Sequence, residues 1–425
     1  MSLKDTTIGY TNETFNLTYY QTFCSDLSED EWKIYNKFSW WLEGVGISVV
    51  GSFGIMFNII AIFVLMSQEM VTIRFNNLVV TLAIVDNLFL LTSIFYHTAH
   101  SFELQVKFSY IHQWVFAKFV YPWRGISMCC SAYITVALAL DRYNAVSNPS
   151  KYKASMRSHT NPITPVLRCT LPIICLSILF NIPKYFDLDI KMQSSFNVTS
   201  LTNESISNQT QIYGLIATNL RKNKKFVLWY VNVANFIVTC FIPLASLIYL
   251  NGQLIWKRKK FLQRQIERRK SSVYSSEFRR YSSSWTASHT QQTIILHTIV
   301  IVFMLCHALR IALNIEEWIT MEDNIKAREL GCSNSKFWST IAQTVSHLLL
   351  QINSGANFFI YSLHNDTFCK VLKQKTKNVF NSNCTNPREK PTNEPLVIYR
   401  NNTVSNSNLE LSANCEIQLG QPAPV

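Results

Sequence analysis

An all-α membrane protein, a seven-transmembrane helix bundle, is the fold class that this 425-residue sequence predicts. Two observations carry the prediction. Apolar residues make up 48% of the chain and gather into seven long, largely uncharged stretches. Each stretch has the roughly 20 residues that an α-helix needs to cross ~30 Å of hydrocarbon. A helix satisfies its own backbone hydrogen bonds, so a bundle of helices is the expected solution in lipid.

The spans run from Gly44 to Met66, Asn76 to Thr98, Trp114 to Leu140, Thr164 to Pro183, Phe226 to Leu250, Gln292 to Ile315 and Phe337 to Leu363. Residues 1–43 form an extracellular, glycosylated tail in this reading, and residues 44–363 form the membrane domain. Met1 to Tyr10 hold no apolar core of a signal peptide, so the first span is expected to act as the insertion signal. Residues 364–380, where Phe368, Val371 and Leu372 interleave with lysines, are expected to make a short amphipathic eighth helix on the membrane surface. Residues 381–425, polar and rich in Asn, Pro and Thr, are expected to be a disordered cytoplasmic tail.

Orientation follows from charge. The loop from Lys257 to Arg280 carries Lys257, Arg258, Lys259, Lys260, Arg264, Arg268, Arg269, Lys270, Arg279 and Arg280 against Glu267 and Glu277, so it is expected inside. Lys370, Lys373, Lys375 and Lys377 follow the last span on the same side. The N-terminus is then extracellular and the protein a multi-pass plasma-membrane chain. The formal net charge of +13 reflects this topology and anionic inner-leaflet lipid, so no nucleic-acid partner is expected. Asn12, Asn16, Asn197, Asn203 and Asn208 open glycosylation triplets on the outer side, although Asn365, Asn383 and Asn401 open others on the inner side. Two cysteines, Cys24 and Cys332, fall outside and are either paired or two free thiols. Cys369 is a candidate for palmitoylation.

An ionisable group within a span costs about 2.5–3.5 kcal/mol on insertion scales, so Asp86 should face the bundle and find polar partners there. Ser131, Asn353, Ser354 and Asn357 are the candidates: Ser131 lies eleven residues before Arg142 and Asn353 four before Asn357, each pair on one helix face. Arg124 lies five turns before Arg142 and should share its inward face. Arg310 should also face inward, with His307 a turn away. Two arginines are expensive in lipid, so they should line a cavity able to take a carboxylate or sulfated tyrosine. Internal pairing with Glu316 or Glu317, or snorkelling to the interface, is the alternative.

The third span ends in Asp141-Arg142-Tyr143, followed by Val146, Pro149 and Tyr152. Asn58, Leu82-Ala83-Ile84-Val85-Asp86, Pro243, Phe303 and the closing Asn357-Phe358-Phe359-Ile360-Tyr361 complete an ordered series. With this series the chain resembles rhodopsin-like G-protein-coupled receptors over roughly residues 40 to 375. Phe180-Asn181-Ile182-Pro183-Lys184-Tyr185-Phe186 and the non-proline seventh-span ending look like invertebrate FMRFamide-type neuropeptide receptors.

The resemblance implies a receptor without catalytic residues, for a neuropeptide or acidic ligand, with Arg124, His307, Arg310 and Gln351 toward the ligand. It implies a heterotrimeric G protein at Asp141, Arg142, Tyr143, Phe303 and Tyr361, with receptor kinases and arrestin acting on the serines between Ser271 and Ser284. It implies no cofactor beyond an allosteric sodium ion at Asp86, or a water-filled polar network without an ion. The chain departs from the family at Ala117, where a disulfide cysteine is usual, and Asp187 to Lys225 holds no cysteine. The sixth span reads Cys306-His307-Ala308-Leu309, without the usual tryptophan and proline. The acid that often pairs with Arg142 is also missing: Ser, Thr and Gln surround His289 there. A transporter or channel is the competing class, but no inverted repeat or pair of interrupted spans appears.

Overall fold

The computed structural model describes residues 27–101, 109–158, 163–198, 208–270, 276–329, 332, 334 and 336–384. Asn12, Asn16, Cys24, Asn203, Ser271, Ser272, Ser275 and the tail from residue 385 lie outside them. By contacts the chain divides into Met1–Lys375 and Thr376–Val425; of the second, residues 376–384 continue a helix.

Six helices are long and apolar enough to cross a membrane. They are α1 (Glu29–Leu65), α2 (Arg74–Ser101), α3 (Tyr110–Ser147), α4 (Thr164–Tyr185), α5 (Lys224–Lys260, continuing to Lys270) and α6 (Ser276–Ile319). The seventh, α7, runs as Phe337–Gly355 and Asn357–His364, interrupted at Ala356. Its Thr344, Ser346, Gln351, Ser354 and Asn357 side chains are buried in the interior. The amphipathic helix α8 covers Asp366–Cys384. Asn365 caps it by accepting from the Phe368 N–H at 3.0 Å, and Phe368 and Val371 pack into the bundle.

Helices extend past their apolar limits wherever local chemistry favours them. α1 begins at Glu29 rather than Gly44 because Ser28 caps it, its Oγ accepting from the Glu31 N–H at 3.3 Å while the Glu31 carboxylate accepts from the Ser28 N–H at 2.9 Å. These bonds hold the Glu31 carboxyl below its ordinary range. Residues 29–43 are therefore helical. Ser276, Ser282, Ser283 and Ser284, read as loop from their composition, fall within α6.

The central helix is α3, which packs against α2, α4, α5 and α6. Ile134, Leu138, Phe75, Leu78, Leu247, Leu296 and Phe303 build the apolar core around it. A small-residue contact joins α1 to α7: a Cβ on Gly54 would stand 3.2 Å from the Gly355 Cα. Outward, Phe53, Ile59 and Phe63 on α1, Leu171, Leu176 and Leu179 on α4, and Ile301 and Leu305 on α6 are exposed, a belt suited to lipid.

The segment between α4 and α5 forms an antiparallel hairpin, β1 (Leu188–Val198) and β2 (Asn208–Ala217), where only a long loop is expected from the sequence. Asn197 and Asn208 occupy its far end, opposite Gln209 and Val198 respectively. Its base is clamped by Lys118, whose Nζ donates to the carbonyls of Tyr185 at 2.8 Å and Leu188 at 3.1 Å. Asp187 adds to the clamp by accepting from Tyr121 Oη at 3.1 Å and meeting Arg221 at 3.4 Å. Lys118 adjoins the buried Ala117, so charge-assisted hydrogen bonds tie α3 to this hairpin where a disulfide is usual.

Replacing Lys118 by Met removes both bonds, each of a kind worth about 1.5–3 kcal/mol. Backbone amides of residues 188–217 should then exchange with deuterium about tenfold faster, measured by mass spectrometry. Unchanged exchange would show that Lys118 does not hold the hairpin.

Candidate functional site

The polar side chains of the bundle fall into three groups along its length, and the hydrocarbon around them explains each pairing. At mid-span, Asp86 is 1% exposed and both its oxygens are used. Ser131 Oγ donates to Oδ1 at 2.7 Å and Asn357 Nδ2 to Oδ2 at 2.7 Å. The Ser354 hydroxyl is a third partner, and Asn58 Nδ2 donates to the Ser354 carbonyl at 3.0 Å, closing the group across α1, α2, α3 and α7. Asn353 makes no contact with Asp86 in this arrangement. It lines an adjoining cavity with Ser131, Ser354, Phe303 and His307. There Phe303 stacks on His307 at 3.8 Å, and the His307 Nδ1–H donates to the Phe303 carbonyl at 2.9 Å. His307 is thus packed against its own helix.

At the end of the bundle away from the hairpin, Arg142 is 1% exposed. Its guanidinium pairs with Asp141, donates to Tyr152 Oη at 2.8 Å and lies 4.6 Å over the Phe75 ring. It also donates to Gln292 Oε1 on α6. Asp141 in turn meets Arg74 at 3.3 Å. Gln292 therefore fills the place of the acid missing from the base of the sixth span: α6 is held to α3 by an amide, not an ion pair. Tyr143 turns aside to accept from Lys257 Nζ at 2.9 Å. Tyr361 is buried against Phe368, and its hydroxyl has no hydrogen-bond partner among the described residues.

At the hairpin end, Arg124 lies against α2. Its Nε donates to Ser93 Oγ at 3.2 Å, its Nη2 to His97 Nε2 at 3.4 Å, and the guanidinium stands 4.8 Å from the Tyr96 ring centre. Arg310 is within electrostatic range of Arg124, Lys184, His307 and His347. It makes no hydrogen bond or ion pair among the described residues, and Glu316 is taken by Ser339 Oγ at 2.8 Å. Lys184 joins these cations because Gly125 leaves it room: a Cβ there would collide with Lys184 Nζ and stand 2.6 Å from Asn181 Oδ1. Gln351 belongs elsewhere. It is 1% exposed, wedged against Gly51 on α1, with Nε2 donating to the Leu90 carbonyl at 3.4 Å.

Of the cysteines, Cys332 is disulfide-bonded, and Cys24 lies outside the described residues. Cys129, Cys130, Cys169, Cys175, Cys240, Cys306 and Cys369 are free, and the Cys369 Sγ lies 3.0 Å from the Ser362 carbonyl. Sequence reasoning missed Gln292, Lys184 and Lys118. Each is polar beside a position already singled out, which was the available signal.

The groups at the two ends are linked by α3, which carries Arg124 and Arg142, and by α6, which carries Arg310 and Gln292. Over residues 45–374 the chain matches the family described as the serpentine type 7TM GPCR chemoreceptor Srw, and it belongs to that family. It is 26% identical over 348 residues to the FMRFamide receptor of Drosophila melanogaster, covering 79% of this chain and 54% of that protein. It therefore spans little more than half the length of that relative. It is 23% identical over 394 residues to the probable G-protein coupled receptor frpr-1 of Caenorhabditis elegans, covering 90% and 91% of the two chains. With the FMRFamide peptide receptor frpr-18 of the same organism it shares 23% identity over 284 residues, 66% of this chain and 55% of that one.

Proposed function

We propose that this chain is a plasma-membrane receptor for an extracellular neuropeptide, and that the ligand opens the bundle around Arg142 to a heterotrimeric G protein. The observation that carries this reading is the hydrogen bond from Arg142 to Gln292, which ties α6 to α3 at the end opposite the cations Arg124, Lys184 and Arg310. A ligand that binds the parted arrangement better shifts the population toward it.

In this reading the N-terminus is extracellular and Asn12, Asn16, Asn197, Asn203 and Asn208 carry glycans. Cys24 pairs with Cys332, which is supported by the bonded state of Cys332 and its place before α7. Cys369 takes palmitate beside anionic lipid, and receptor kinases and arrestin act at the serines between Ser271 and Ser284. Sodium is the proposed resident ion: Asp86, Ser131, Asn353 and Ser354 offer the hard oxygen donors that such a cation takes. It would add charge neutralisation at mid-span. Sodium is expected to lower agonist affinity in membranes severalfold, and Asp86→Asn to remove that dependence; an unaltered sodium effect in the variant would discard the site.

A reading with the same fold and a small acidic ligand is favoured by the excess of cations at Arg124, Lys184 and Arg310. The cations at Arg124, Lys184 and Arg310 call for an acidic ligand group in either case. A peptide library read out by calcium and cyclic AMP separates the two. Arg124→Gln should lower potency about tenfold or more, as expected for loss of a charged contact worth about 1.5–3 kcal/mol, with surface expression unchanged. A normal response in that variant rejects the cationic cluster as the ligand site.

A further inference from the structure

Three side chains that no part of the receptor reading uses meet where α1, α2 and α7 converge. Glu43 lies in a wide helical turn, Trp40–Gly46, whose extra residue per turn rotates its carboxylate into the bundle. Its Oε1 stands 2.8 Å from His347 Nδ1 on α7 and 3.6 Å from His97 Nδ1 on α2. The two imidazoles are 4.5 Å apart, and the three ligating atoms all lie within 4.8 Å of one another. Around this cluster, Ser39 Oγ donates to the second Glu43 oxygen at 2.9 Å, fixing the carboxylate's orientation.

We propose that Glu43, His97 and His347 form a binding site for a divalent transition metal, Zn²⁺ in the first instance. Two imidazoles and one carboxylate are a recognised three-ligand set for zinc, with the fourth position open to water. Bond lengths of about 2.0–2.1 Å in a tetrahedron put ligand atoms about 3.4 Å apart. The Glu43–His97 distance is already near this, the Glu43–His347 distance needs to open by about 0.6 Å, and the two imidazole nitrogens, within 4.8 Å of each other, need to close by up to about 1.4 Å, all by rotamer adjustment. Magnesium and calcium, which favour all-oxygen shells, fit this donor set poorly. Access is from the His347 side, whose side chain is 20% exposed against 4% for His97 and 7% for Glu43.

The site reaches the cationic cluster at Arg124 through one ring. Arg124 can only donate, so His97 Nε2 accepts from it and the ring proton sits on Nδ1, toward Glu43. Metal on Nδ1 moves that proton to Nε2, where it faces the guanidinium donor to donor. Arg124 must then turn away from His97. Zinc is thereby coupled to the position of the residue proposed to meet the ligand, a step that rests on the receptor reading above.

The test uses the purified full-length receptor in detergent, loaded with Co²⁺ alone and titrated with Zn²⁺ against a chelator buffer. One cobalt per chain is expected, with the visible bands of four-coordinate cobalt, no thiolate charge-transfer absorption, and displacement by Zn²⁺ but not by Mg²⁺. His97→Ala and His347→Ala should each weaken Zn²⁺ affinity about a hundredfold. No metal uptake by the unaltered receptor overturns the proposal without reference to any variant. So does thiolate absorption, or uptake that persists when both histidines are replaced in a variant that elutes as a monodisperse protein. Separately, zinc should shift agonist potency in membranes; cobalt binding with no such shift refutes the coupling to Arg124 and leaves the metal site standing.

Discussion

The burial of Arg142 is the constraint around which the rest is arranged. It is among the largest fully buried side chains of the chain, and a guanidinium cannot shed its charge as a lysine or carboxyl can. A charge withdrawn from water and left without partners costs several kcal/mol, so its surroundings must supply acceptors in fixed places. Asp141 comes from the same helix, Tyr152 from the short helix that follows, and the Phe75 ring from α2. Gln292 comes from α6, and its bond commits that helix to the closed arrangement. A neutral amide gives directionality without an ion pair, so the closed state is held less firmly than a carboxylate would hold it.

The same economy governs the other end. Where a covalent tether would ordinarily fix the hairpin, a lysine beside Ala117 reaches two main-chain carbonyls, and Asp187 is held by a tyrosine and an arginine. The sixth helix lacks a proline and retains its backbone hydrogen bonds, so the stacked pair Phe303 and His307 sits on an uninterrupted helix beside the cavity that adjoins Asp86. The interruption falls instead at Ala356 in α7, immediately before Asn357 donates to Asp86. Breaking the helix there frees the asparagine to approach the carboxylate.

Much of this was legible in the sequence because hydrocarbon imposes simple rules. Span positions follow from apolar length, and the inward faces of Asp86, Ser131, Arg124 and Arg142 follow from 3.6 residues per turn. What stayed hidden depends on tertiary approach. Periodicity gives no means of knowing that Gln292, rather than a neighbouring Ser or Thr, would meet Arg142. Lys184 is drawn into the bundle by the absence of a side chain at Gly125, a relation between two helices. Glu43 looks like an ordinary boundary charge until the wide turn at Trp40–Gly46 rotates it inward. Gln351 was assigned to the ligand from its aligned position, whereas the close approach of Gly51 draws it to α1. The hairpin between α4 and α5 was read as loop because its strands alternate weakly and carry several Asn, Ser and Lys residues.

The most direct measurement is the distance between site-specific spin labels at Asn144 on α3 and Thr290 on α6, read by pulsed electron resonance in the unliganded receptor. If Gln292 is what holds α6 to Arg142, then Gln292→Ala should lengthen that distance by about 5 Å in a large part of the population, and basal signalling should rise with it. A distance distribution that is the same with and without the amide would contradict the lock, and with it the central role given to Arg142.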